Sequence, residues 1–104
     1  MPSSTRPLDK LVALQRADGS WEHSRGLAEC VGIEFNRLQS ARPNAIEDHV
    51  WATLVALAWL DTHAQAERLE WQGLAGKAET WLELRVPSAA IDAARNAAND
   101  LIRG

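Results

Sequence analysis

The amino-acid sequence predicts an all-α fold, a compact bundle of about five or six helices around a central buried helix. Three observations carry that expectation. In the run Val50-Trp51-Ala52-Thr53-Leu54-Val55-Ala56-Leu57-Ala58-Trp59-Leu60, Thr53 is the only residue that is not apolar, and a helix apolar all round must be wrapped by protein or lipid. The run would rise about 16 Å, short of the roughly 18 apolar residues that a membrane span requires. Further on, Trp71, Leu74, Ala75, Ala78, Trp81 and Leu82 keep the three-four spacing of a helix with one face on a core. Helix stops at Asp18-Gly19, Gly32, Pro43 and Pro87 divide the remaining chain into short helical pieces.

Composition sets the frame. The 104 residues suffice for one domain with a real core, expected to cover residues 7–104 behind a flexible lead-in at 1–6. The 46% hydrophobic and 24% charged fractions are those of a globular chain. A net charge of −3 gives no electrostatic reason to expect nucleic acid or an anionic membrane. Cys30 stands alone, so no intrachain disulfide can form. Residues 1 to 7 hold no apolar signal core, which points to the cytoplasm. Abundant Ala, and Arg well in excess of Lys, suggest a GC-rich bacterial genome.

Pro7 suits the first turn of a helix, with Thr5 or Arg6 near its cap. Leu8, Leu11, Val12 and Gln15 then extend that helix to about residue 17, and Asp18-Gly19 closes it with a turn. Trp21 is placed to fold back onto the helix end while its indole N–H seeks a carbonyl. Ser24 caps a short second helix through Leu27 to Val31 that Gly32 stops, and a third runs from about Ile33 to Ser40. Asn44 is the expected cap of the central helix, with Glu47 three residues on, and the helix should run to about Ala64. The fifth helix is expected at 66–85. Its Gly73 and Gly76 each cost about 1 kcal/mol of helix propensity, which suggests close packing or a bend. Ser88 caps the last helix, whose narrow stripe is Ile91, Ala94, Ala98, Leu101 and Ile102. That Ala-rich stripe buries little, so the last helix is expected to be mobile or to complete its packing against a partner.

No catalytic, cofactor-binding or metal-binding constellation emerges. His49 and His63 share a helix face but stand roughly 21 Å apart along the axis, and His23 has no Cys or His at a zinc-like spacing. Glu67, Glu70, Glu79 and Glu83 read as the solvated side of an amphipathic helix. Cys30 reads as a small buried hydrophobe. Gln15, Gly19 and Trp21 match the Q-x-x-x-G-x-W repeat of terpene cyclases, which makes a fragment or accessory subunit of such a helical enzyme the alternative reading. A helix-turn-helix nucleic-acid binder would need a basic recognition helix, which is missing.

Three stretches in order carry a resemblance: Leu11-Val12-Ala13-Leu14-Gln15 leading to Asp18-Gly19-Ser20-Trp21, Trp51 through Leu60, and Trp71 through Leu74-Ala75 and Lys77-Ala78 to Trp81-Leu82. Together they resemble the C-terminal helical domain of proteins that carry a VIT domain and a von Willebrand factor A domain, among them vault poly(ADP-ribose) polymerase. The likeness covers roughly residues 8 to 84. It implies a non-enzymatic protein-association module, and in the vault polymerase that region binds the major vault protein. The expected partner is accordingly a protein, vault-like or from another large assembly, with no nucleic acid, membrane, small-molecule substrate or cofactor. Trp71, Trp81, Leu101 and Ile102 are the expected partner-binding residues, since Trp is frequent at association hot spots. Trp51 and Trp59 are expected in the core.

Overall fold

The computed structural model describes residues 7–44 and 46–103. The expected lead-in at 1–6 and its Thr5 or Arg6 cap lie outside the described residues. Within them the chain forms α1 (Pro7–Leu14), α2 (Arg25–Val31), α3 (Phe35–Ser40), α4 (Asp48–His63), a 3₁₀ turn (Gln65–Glu67), α5 (Arg68–Arg85) and α6 (Ser88–Arg103). The expected all-α bundle is observed, with α4 at its centre.

Every residue of α4 from Val50 to Leu60 is buried. Around it the core takes Leu8 and Leu11 of α1, Leu27 and Val31 of α2, and Leu38 of α3. The remaining wall comes from Trp71, Ala78 and Leu82 of α5 and from Ile91, Ala94 and Ala98 of α6. The most extensive helix–helix contact is that between α4 and α6. The last helix is therefore a main wall of the core, contrary to its expected looseness. Small Ala94 and Ala98 side chains replace buried area with close approach, so dispersion contacts gain what the transfer of area lacks.

The ends of the elements show local chemistry. Ser24 accepts from the backbone N–H of Leu27, and Gly32 closes α2 at φ 72°. α1 stops at Leu14, three residues before its expected end, because the Gln15 N–H bonds Val12 in a tighter turn and the Arg16 N–H crosses to the Ser20 carbonyl. α4 starts at Asp48, with Glu47 at the cap position and no side-chain cap bond. Asn44 is not its cap, because a Pro43-to-Ile46 turn separates it from the helix. Pro87 supplies the carbonyl that the Ile91 N–H bonds, so Ser88 is the first residue of α6 rather than its cap.

Three indole N–H groups satisfy carbonyls at helix ends. Trp21 Nε1 donates to Leu11 in the last turn of α1 at 2.9 Å. Trp51 Nε1 donates to Leu38 near the end of α3 at 2.8 Å, and Trp71 Nε1 to Ala64 just past α4 at 2.7 Å. The last carbonyls of a helix have no partner within it, and a core-facing end excludes water. An indole brings apolar area and one donor to that position.

Candidate functional site

The most distinctive motif of the sequence proves to be a clasp. Gln15 leaves the end of α1, and its Nε2 donates both to Gly19 across the turn at 3.0 Å and to Leu74 of α5 at 3.1 Å. Gly19 takes φ 99°, and a Cβ there would lie 2.8 Å from the Lys77 carbonyl oxygen. Only glycine allows both the left-handed backbone and that approach. Asp18 Oδ1 accepts from the Ser20 N–H at 3.0 Å and from the Ser20 hydroxyl at 2.6 Å. The Ser20 hydroxyl and then its N–H hold the Asp18 carboxyl below its ordinary range. Trp21 is fully buried, and its backbone N–H reaches Thr53 Oγ1 at 3.0 Å while that hydroxyl donates to the His49 carbonyl at 2.7 Å. Gln15, Gly19 and Trp21 thus tie α1, α4 and α5 together.

A cleft of about 380 Å³ opens between α5 and α6. Leu57 and Ala58 of α4 form its floor, with Trp71, Gln72 and Ala75 on one wall and Asn99 on the other. Arg95 of α6 spans to Glu79 of α5 in a bidentate pair at 3.0 and 2.7 Å. Arg68 lies over the Trp71 ring, 5.4 Å from its centroid, and Asp61 stands at the same end. The arrangement offers a narrow apolar floor between charged rims.

The four residues assigned to partner binding do not form one open surface. Trp71 lines the cleft yet is only 4% exposed, and Trp81 is 8% exposed beneath Arg85, whose guanidinium lies 4.8 Å from its ring centroid. Leu101 and Ile102 are half-buried against the core. All five tryptophans are buried, so no open Trp surface exists on α5, and the three-four spacing that singled out Trp71 and Trp81 marks their inward face. The cleft residues Gln72, Arg95 and Asn99 escaped the sequence reading because polar residues on a helix flank carry no periodic signal. Gly73 and Gly76 are not packed closely, since nothing would lie within 4 Å of a Cβ at either position. The close approach of α5 is instead at Gly19.

Cys30 lines a shallow pocket with Ala13, Leu14 and Gly26, and burial pushes its thiol up. Among the described residues no three His, Cys, Asp or Glu side chains form a set that could hold a metal ion. No described helix is long and apolar enough to cross a membrane.

Fold and cleft together define a small all-helical domain with tryptophan-sealed helix ends and an open cleft between α5 and α6. Comparison with known proteins places it further. The chain is 34% identical over 95 residues to von Willebrand factor A domain-containing protein 5A of Mus musculus, a match covering 90% of the chain and 12% of the relative. The Homo sapiens protein of that name is 32% identical over 82 residues, covering 78% of the chain and 10% of the relative. Von Willebrand factor A domain-containing protein 5B1 of Mus musculus is 39% identical over 59 residues, covering 52% of the chain and 5% of the relative. The chain is a homologue of these proteins, consistent with a C-terminal domain associated with von Willebrand factor A domains, and it spans about a tenth of the length of the 5A relatives. These relatives are mammalian and lend no support to the expected bacterial origin. No protein-family model matches the chain, and no solved structure does.

Proposed function

We propose that the chain is a non-enzymatic protein-association module that docks a partner segment in the cleft between α5 and α6. The observation that carries this reading is the homology, over nine-tenths of the chain, to a small part of long von Willebrand factor A domain-containing proteins. Von Willebrand factor A domain-containing proteins are generally interaction modules. The cleft supports it with a preformed floor at Leu57 and Ala58, the edge of Trp71, and charged groups at both ends. Trp71 is the one expected binding residue retained in this reading, as part of a wall.

The resemblance to the vault polymerase makes the major vault protein, or a protein of another large assembly, the first partner to test. Immobilised chain should retain such a protein. Replacing Ala75 with Phe, which fills the cleft from a half-buried position, should lower affinity about tenfold, a loss of roughly 1.4 kcal/mol. Equal retention by both forms would remove the cleft from the reading.

A further inference from the structure

The outward face of α5 is built against the usual rule for an exposed helix. Leu69 and Leu84 are 86% and 83% exposed, and Gly73, Gly76 and Thr80 lie exposed between them. At 100° per residue these five positions fall within an arc of about 80°, opposite the face that buries Ala78 and Leu82. The two glycines weaken the helix without serving any internal contact, since a Cβ at either would meet nothing within 4 Å. The strip reads large, small, small, small, large in both chain directions.

We propose that this strip binds a second copy of the chain, α5 against α5 in antiparallel orientation. A twofold contact requires a surface to complement its own reverse, and the strip does. Centred between Gly76 and Lys77, the midpoint of Arg68–Arg85, the pairing sets Leu69 of each copy against Leu84 of the other and Gly73 against Thr80. Crossing helices are closest at their midpoint, where Gly76 leaves the backbone bare, and they diverge toward their ends, where the leucines fill the gap. On one flank the charges are complementary. Glu83 of one copy falls between Arg68 and Gln72 of the other on the same flank. Lys77 opposes its own copy near the axis, and its stem leans over Gly19, away from the strip. A single helix pair buries less than the roughly 1,200 Å² of a standard interface, so the dimer forms with rising concentration.

Sedimentation equilibrium of the intact chain over a concentration series tests this. The weight-average mass should climb from 11.5 kDa toward twice that value. Leu69→Arg and Leu84→Arg, both at solvent-exposed sites, should each hold it at the monomer value. Gly76→Leu, which adds bulk in open space and helix propensity, should do the same while raising the thermal midpoint. A wild-type chain that stays monomeric throughout overturns the proposal, as does a dimer indifferent to Leu69→Arg and Gly76→Leu.

Discussion

Thr53 is the residue on which the central helix turns from filler into keystone. Its hydroxyl donates back to the His49 carbonyl and accepts the Trp21 backbone N–H, so it lies where a polar break in the apolar run is needed. Thr53→Val keeps the shape and strands the buried Trp21 N–H, which costs about 1–3 kcal/mol. Urea unfolding should show that loss for Thr53→Val and a smaller one for Thr53→Ser, which retains the acceptor. Asp18 makes a second prediction at this scale. Its carboxyl is lowered in the fold by the Ser20 hydroxyl and N–H, so its contribution is complete above the unfolded value near pH 4 and is lost as pH falls through the lower folded value. Urea midpoints measured between pH 6 and pH 2 should fall in that acidic window, and the fall should be shallower in Asp18→Asn.

Among the elements, the glycines separate three physical roles that look alike in sequence. Gly19→Ala meets both the left-handed backbone and the Lys77 carbonyl at 2.8 Å, and should cost more than the 1–2 kcal/mol of the backbone alone. Gly32 has only the left-handed backbone against it, with nothing within 4 Å, so Gly32→Ala should cost about 1 kcal/mol. Gly73→Ala should stabilise by a similar amount, since it sits in an exposed helix interior with open space. Thermal midpoints of the three variants, taken at concentrations where the chain is monomeric, check the order. α1, α2, α5 and α6 were legible because Pro, Gly or a capping Ser bounds each on at least one side and each carries a periodic apolar face, and α4 because its run is apolar all round. What escaped was the use of the residues. Gln15 reads as one more position of α1, whereas it leaves the helix to reach Leu74, a partner 59 residues away. The same spacing that exposes a Trp to a partner also points it inward, and the structure shows the inward choice for all five.

The whole molecule is two attachments to one strut. α1 and its turn are fixed to α4 and α5 by the clasp, while α6 lies on α4 through Ala94 and Ala98 and joins α5 through Arg95 and Glu79. These two ties differ in kind. The alanine contact sets how near α6 can come, because any added methylene at a fully buried position forces the helices apart. Ala98→Leu should therefore cost about 1–3 kcal/mol of stability. The ion pair is partly exposed, with side chains 33% and 41% accessible, so its contribution to stability is about 1 kcal/mol or less. Its larger effect is on shape, because it bridges the cleft and fixes the separation of its walls. A double-mutant cycle on Arg95→Ala and Glu79→Ala should give a coupling energy within that bound. In nuclear magnetic resonance spectra of either single variant, the backbone resonances that shift should be those of Trp71 to Glu79 and Arg95 to Asn99, with α1 and α2 unmoved. Shifts spreading through α1 would mean that the pair holds the bundle together rather than the cleft open.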